Sequence, residues 1–162
     1  MIVNLAEVVV ELAKETGVVL TTAESCTGGL IAGALTNIAG SSEVFDRGFV
    51  TYSNEAKTEM LGVADDLIIT KGAVSDSVVR AMVAGALANS RAQTAVAVTG
   101  IAGPGGGTEE KPVGLVYIAV QSQDGLASVK EFKFANLGGS TRKDIRSMAV
   151  NAALEMIIEE IK

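Results

Sequence analysis

The segment that most constrains the fold is an apolar run, residues 18–20, that leads into a polar, glycine-rich turn and then a helical pattern. The turn reads Thr-Ala-Glu-Ser-Cys-Thr-Gly-Gly over residues 22–29. A strand that ends in such a turn before a helix is typical of an α/β sheet. Ligands of α/β sheets bind at the carboxyl ends of the strands, where the N–H groups of helix N-termini are free. The turn therefore predicts both a fold class and the place of a site.

The spacing of apolar residues predicts helices and strands along the whole chain. Helices are predicted over 5–16, 27–38, 55–61, 76–90 and 141–161, and strands over 18–23, 47–52, 94–99, 113–122 and 126–134. The last two strands are joined at Asp124-Gly125, a dipeptide typical of hairpin turns. Strands that alternate with helices and then form a hairpin predict an α/β fold. We expect a three-layer α/β/α sandwich with a mixed sheet, in a single domain over residues 1–162, whose strand order the pattern does not fix.

Composition narrows the choice of partners. The net charge is −6 and the few cations are dispersed, which argues against a nucleic-acid partner. No apolar run reaches the roughly 18 residues that a membrane span needs, and we expect no signal peptide, because Asn4 and Glu7 interrupt the first apolar stretch. Together with the single cysteine, this predicts a cytoplasmic protein without membrane contact. The absence of histidine argues against zinc, so we expect no cofactor, although a carboxylate-bound magnesium ion stays open.

The turn at 22–29 places a carboxylate, a hydroxyl and a thiol side by side. Ser25 is either the cap of the following helix or a nucleophile or donor to an anion. Glu24 is either a surface charge or a group that positions a ligand hydroxyl or a lysine. Cys26 is either a small buried hydrophobe or a nucleophile whose pKa the helix N-terminus lowers. Because the chain has no histidine, an activated hydroxyl here needs another base.

Lys57 is a candidate for that base. It lies in the first turn of a predicted helix, where the helix dipole disfavours a cation and lowers the lysine pKa. A neutral lysine amine can deprotonate a serine. Ser42 follows Gly40 and is either a turn residue or a hydroxyl held near Lys57. Tyr52 is either the end of an amphipathic strand or a hydrogen-bond partner of the serine or the lysine.

Two further segments carry groups that suit an anion. The loop at 99–107 follows a strand, and its backbone N–H groups, including those of Gly100 and Gly103, fit a phosphate or a developing oxyanion. Arg142 and Arg146 share one face near the start of the last helix and form either a clamp for a phosphate or carboxylate or ordinary surface ion pairs with Asp144 or another acidic neighbour.

These segments together resemble one family. They are Thr22–Gly29, Gly40–Ser42, Gly48–Lys57, Gly72–Ser75, Thr99–Pro104 and Lys111–Gly114, in this order along the chain. The chain resembles the CinA C-terminal domain family, the nicotinamide-nucleotide amidohydrolases, over about residues 5–160. The resemblance implies an α/β/α fold and metal-free hydrolysis of the carboxamide of nicotinamide mononucleotide (NMN) by a serine–lysine mechanism. The products are nicotinate mononucleotide and ammonia, in pyridine nucleotide salvage.

Carried onto this chain, the resemblance implies catalytic roles for Ser42, Lys57, Ser25 and Tyr52. Either serine can be the nucleophile. We lean to Ser42, with Ser25 as the partner of the oxyanion or the substrate. The substrate-binding residues are expected to be Glu24, Thr27, Gly28, Gly100, Ala102, Gly103, Arg142 and Arg146, with Arg142 preferred over Arg146 for the phosphate.

Two alternatives remain at this stage. The first is a non-catalytic module of the same family that binds a nucleotide or a protein. The second is a metal-assisted phosphohydrolase that uses Glu24, Glu55, Glu109 and Glu110, although no ligand spacing supports it. The expected partner is a small-molecule nucleotide. We also expect a homo-oligomer, because the apolar hairpin over 113–134 offers a sheet edge or interface.

Overall fold

A computed structural model describes residues 3–162; Met1 and Ile2 lie outside the described residues. The helices are α1 (Leu5–Thr16), α2 (Leu30–Thr36), α3 (Asn54–Leu61), α4 (Asp65–Lys71), α5 (Asp76–Ala88) and α6 (Arg142–Ile161). The strands are β1 (Leu20–Glu24), β2 (Phe45–Val50), β3 (Thr94–Gly100), β4 (Leu115–Ser122) and β5 (Ser128–Lys133). Short 3₁₀ helices cover Ser41–Glu43 and Phe134–Leu137.

The five strands form one mixed sheet in the order β2-β1-β3-β4-β5. β1 pairs in parallel with β2 and β3, whereas β4 runs antiparallel to β3 and to β5. β1 and β3 are buried along almost their whole length, as the central strands of an α/β sheet are. In β1 the buried residues include the polar Thr21, Thr22 and Glu24.

Helices cover both faces of the sheet and create two cores. Alternate residues of β3 face opposite sides: Val96 and Val98 pack with α1, α2 and α6, while Ala95 and Ala97 pack with α3, α4 and α5. On the face that α3, α4 and α5 cover, packing is close at Gly85 of α5. A Cβ atom there would overlap the backbone carbonyl of Leu61 at the end of α3. The predicted single α/β/α domain with a mixed sheet is confirmed.

The predicted elements are present, with differences at their ends. α2 begins at Leu30 and not at residue 27, because Gly28 (φ 59°) and Gly29 (φ 99°) have left-handed backbone conformations that a right-handed helix excludes. Helix α4 was not predicted. Its N-cap is Ala64, which provides no side-chain hydrogen bond, and Ile68 is its one buried residue, so a capping side chain and a periodic apolar face are both missing. The acidic first turn and Gly72 at the end are weaker signals of a helix. Among the helices described, none has the length and apolar character to cross a membrane.

Candidate active site

Ser25 lies immediately after β1, in the turn that leads to α2. Its backbone N–H donates to the carbonyl of Val98 on β3 (3.0 Å), and its carbonyl accepts from the N–H of Gly28 (3.0 Å). Ser25 is buried but lines a cleft at the carboxyl ends of β1 and β3. The sheet therefore fixes the backbone of this serine and presents its hydroxyl at the edge where α/β proteins bind ligands.

Lys57 reaches the same point from α3 and is 1% exposed. Its Nζ lies 3.1 Å from Ser25 Oγ. The side chain folds back over the start of α3, where the backbone carbonyls of Thr51 (3.0 Å), Ser53 (3.4 Å) and Tyr52 (3.5 Å) accept from Nζ. Apart from Ser25, the partners of the amine are thus uncharged main-chain oxygens.

The burial of Lys57 shifts its protonation equilibrium towards the neutral amine. Burial lowers the pKa of Lys57 from its ordinary value of 10.5, and the negative charges of Glu55 and, where it ionises, of the Cys26 thiolate oppose this shift more weakly. A neutral amine has two N–H groups, which the two nearer carbonyls, those of Thr51 and Ser53, can occupy, and one lone pair. That lone pair can face Ser25 Oγ at 3.1 Å and accept the serine proton, which is the geometry that a general base requires.

The cleft beside this pair has a volume of about 210 Å³. Its lining comprises Ser25, Cys26, Tyr52, Asn54, Lys57, Ala73, Val74, Thr99, Gly100, Ala102 and Arg142. Sequence reasoning gave no individual role to Asn54, Ala73, Val74 or Thr99. The signal that marked the Ala73 segment was its place among the family-like motifs. Thr99 Oγ1 donates to the carbonyl of Ala73 (2.8 Å), and this hydrogen bond fixes the side of the cleft that Ala73 and Val74 line.

Arg142, the first residue of α6, connects two sides of the cleft. Its guanidinium donates to the hydroxyl of Tyr52 (2.7 Å) and to the carbonyl of Gly103 (2.8 Å). The Tyr52 hydroxyl is therefore next to Arg142, while the Tyr52 carbonyl is next to Lys57. An exposed guanidinium that lines the cleft is the best-placed cation for an anionic ligand.

Arg146 has a different position. Its guanidinium donates to the carbonyls of Cys26 (3.0 Å) and Thr27 (3.2 Å). Arg146 therefore stabilises the backbone of the turn that follows Ser25. The alternative in which the arginines pair with Asp144 is wrong, because that carboxylate accepts from Ser140 and the Thr141 N–H and caps α6.

Glu24 is buried, and both of its carboxylate oxygens are occupied. Oε1 accepts from Thr27 Oγ1 (2.7 Å) and from the N–H of Ile31 (2.8 Å), and Oε2 accepts from the N–H of Ala32 (3.0 Å). The expected roles of Glu24 and Thr27 as direct substrate ligands find no support in this geometry, because their polar side-chain atoms bond to one another and to α2. Gly28 belongs to the same turn, and Gly100, Ala102 and Gly103 lie at the cleft or beside Arg142.

Ser42 lies at the opposite end of the sheet. It is exposed, in the 3₁₀ helix that precedes β2, and Leu20 at the start of β1 pairs with Phe45 at the start of β2. β2 has six residues, so it separates Ser42 from the Lys57 end by about 20 Å. The expectation that Ser42 and Lys57 belong to one local unit is wrong within this chain, because an extended strand runs between them.

Cys26 has the properties of a buried hydrophobe. Burial raises the pKa of its thiol from 9.0 to about 11, which outweighs the lowering by its own backbone N–H and by Arg146. The thiol is therefore protonated at neutral pH and is a poor nucleophile. Across residues 3–162, no three His, Cys, Asp or Glu side chains are grouped so that they could hold a metal ion.

The fold and the site define a class: an α/β protein whose cleft contains a buried serine–lysine pair. The chain belongs to the CinA C-terminal domain family, whose sequence profile matches residues 2–161. It is 44% identical to the nicotinamide-nucleotide amidohydrolase PncC of Escherichia coli K12 over 158 residues, which are 98% of this chain and 96% of that protein.

Other relatives have names that refer to competence and damage. The chain is 50% identical over 157 residues to a putative competence-damage inducible protein of Caldicellulosiruptor bescii, and this match covers 97% of the chain but 37% of that longer relative. The crystal structure of a competence/damage inducible protein from Agrobacterium tumefaciens superposes with a TM-score of 0.92 at 54% identity, covering 96% of this chain and 92% of that one.

Proposed function

We propose that this chain hydrolyses the carboxamide of NMN to nicotinate mononucleotide and ammonia, a step of pyridine nucleotide salvage. The observation that carries the proposal is the 3.1 Å contact between Lys57 Nζ and Ser25 Oγ in a buried site without histidine. The identity to the E. coli amidohydrolase over nearly the full length of both proteins supports the choice of substrate.

In the proposed reaction, Ser25 is the nucleophile and Lys57 is first the base and then the acid. The neutral Lys57 amine takes the proton of the Ser25 hydroxyl, and Oγ forms a bond to the carboxamide carbon. The C–N bond of the resulting tetrahedral intermediate breaks, and the ammonium of Lys57 gives its proton to the departing nitrogen. Water then attacks the acyl-serine, with Lys57 again accepting and returning one proton, which releases nicotinate mononucleotide.

The negative charge on the amide oxygen needs hydrogen-bond donors. The Cys26 backbone at the α2 turn and the Gly100–Gly103 segment both border the cleft and can direct N–H groups at this oxygen. Each such donor is typically worth about 3 kcal/mol at the transition state. Arg142, at the rim beside Tyr52, is the proposed partner of the substrate phosphate.

The test is release of ammonia from NMN by the purified chain, with nicotinamide riboside as the substrate that lacks the phosphate. We expect release from NMN, and no change when a chelator is added. A folded chain that binds NMN without releasing ammonia supports the non-catalytic module, and loss of activity with the chelator supports a metal-dependent enzyme.

The oligomeric state is a separate prediction. β5 forms one edge of the sheet, as expected for the hairpin, and β2 forms the other edge. We expect a homo-oligomer, which sedimentation equilibrium measures directly; a monomer at micromolar concentration contradicts this prediction.

A further inference from the structure

The N-terminus of α2 lacks a local cap. Its N-cap residue is Gly29, which has no side chain to accept a hydrogen bond. The N–H groups of Ile31 and Ala32, in the first turn, instead donate to Glu24, which precedes the serine turn and belongs to β1. One carboxylate therefore joins the end of the strand to the start of the helix and closes the turn that carries Ser25.

The same carboxylate also holds the middle of the turn. Thr27 Oγ1 donates to Glu24 Oε1 at 2.7 Å, so three donors converge on two oxygens. No cation forms an ion pair with Glu24 among residues 3–162, and the helix N-terminus supplies the favourable field. Burial of a carboxylate costs several kcal/mol before compensation. A buried Glu24 carboxylate without a cationic partner is therefore expected to have a specific role.

We propose that Glu24 is a positioning residue for the reaction: its carboxylate sets the conformation of turn 25–29, and through it the Ser25 Oγ to Lys57 Nζ distance. The inference rests on the proposed function only for its kinetic consequences. Glu24 contacts neither partner of the serine–lysine pair through its side chain. Its effect passes through the backbone of the turn, whose left-handed Gly28 and Gly29 follow a path that depends on the anchoring at both ends.

The conservative variant Glu24→Gln tests the charge with little change of volume. Its amide has one acceptor oxygen, so its NH₂ group faces either the Ala32 N–H or the Ile31 N–H, and two donors repel each other. A displacement near 1 Å at the reacting atoms costs roughly 100-fold in rate. We therefore expect kcat to fall about 100-fold, with KM for NMN close to wild type and a thermal midpoint that falls by a few degrees, because one buried N–H loses its acceptor.

Three readouts separate positioning from a general structural role. The acid limb of the pH–rate profile stays in place in Glu24→Gln, because Lys57 keeps its surroundings. The rate at which an organophosphonate labels Ser25 falls in parallel with kcat. Hydrogen exchange of the Ile31 and Ala32 amides accelerates, while exchange of the β3 amides is unchanged.

The matched controls use other residues of the chain. Glu43→Gln removes an exposed carboxylate at the far end of the sheet, and we expect wild-type kinetics. Thr27→Val removes the third donor, and the double variant Glu24→Gln/Thr27→Val should be no slower than Glu24→Gln alone, because both act through one carboxylate.

Several results overturn the inference: wild-type kcat in Glu24→Gln, a rise of KM alone, or additive effects in the double variant. If the wild type releases no ammonia from NMN, the proposed function fails, and Ser25 labelling together with amide exchange still decides the role of Glu24. If Glu24→Gln does not fold, the same measurements on Thr27→Val decide it, and unchanged labelling and exchange there reject the inference.

Discussion

The two ends of the β1–β2 pair each carry a serine next to a glycine turn, but only one of these serines has a base beside it. Ser25 follows the carboxyl end of β1 and contacts the buried amine of Lys57. Ser42 precedes the amino end of β2 and is exposed. The residue types and local turns are alike, so the difference comes from the sheet, which brings Lys57 next to Ser25 and keeps it away from Ser42.

The sharpest test of this comparison replaces each serine in turn. Ser25→Ala removes the proposed nucleophile and should lower kcat by about 10⁴-fold or more, as loss of a covalent nucleophile does in hydrolases. Ser42→Ala should stay within about twofold of wild type, because the exposed Ser42 lies at the opposite end of the sheet from Lys57. Ammonia release measures both. The reverse result, with an inactive Ser42→Ala and an active Ser25→Ala, restores Ser42 as the nucleophile.

The second test removes the base and keeps the packing. Lys57→Met retains an unbranched side chain of similar length and should lower kcat by about 10³-fold, the range of general-base catalysis. The folded state should survive, because the variant no longer buries an amine. Ammonia release and circular dichroism report the two effects. Turnover near the wild-type rate excludes Lys57 as the base.

The pH dependence sharpens the role of Lys57. The reaction needs the neutral amine, so kcat should rise about tenfold per pH unit below the Lys57 pKa and then level off. Burial lowers this pKa, so the plateau should begin below the ordinary lysine value of 10.5. The lowered pKa also means that the folded state binds the proton less tightly than the unfolded state does. Stability should therefore rise with pH between the two pKa values, and Lys57→Met should abolish that rise.

The next test compares Arg142 and Arg146, whose replacement should change the kinetics less than replacement of Ser25 or Lys57. Arg142→Ala removes the cation at the rim and should raise KM for NMN about 10-fold or more, with little effect on the riboside, which has no phosphate. Arg146→Ala loosens the carbonyls of Cys26 and Thr27 and should lower kcat for both substrates alike. Steady-state kinetics on the substrate pair distinguishes them. Equal effects of Arg142→Ala on both substrates remove its phosphate role.

The smallest effect is expected next to Ser25. Cys26→Ala should keep activity within about threefold, because a protonated buried thiol contributes packing and not chemistry. The variant should lose some stability, which a thermal melt measures. A folded but inactive Cys26→Ala would transfer the nucleophile from the hydroxyl to the thiol.

The sequence was most informative where a signal is local. Three such signals are the apolar run at 18–20 that leads into β1, the Asp124-Gly125 hairpin, and the turn at 22–29, and each depends on neighbouring residues. Helix α4 has neither a capping side chain nor a periodic buried face, and the signals that it does carry, Asp65 and Asp66 in its first turn and Gly72 at its end, were not used to predict it.

The site was harder to predict because its contacts join distant segments. Ser42 is closer to Lys57 along the chain than Ser25 is, yet β2 carries the chain away from it. The Arg142–Tyr52 bond spans 90 positions, and Glu24 bonds to N–H groups that lie beyond a glycine turn. Sequence spacing identified the right residue types, whereas their pairing depended on strand order, which the pattern did not fix.

The amine of Lys57 is anchored by main-chain carbonyls and not by an acidic side chain. Every amino acid supplies such a carbonyl, so substitutions at positions 51–53 can leave this anchor intact as long as the backbone path is kept. Dissolved salt weakens attractions between exposed charges but has little effect on a buried amine held by neutral oxygens. High ionic strength should therefore weaken capture of the anionic nucleotide at the rim and leave the proton transfer between Ser25 and Lys57 nearly unchanged.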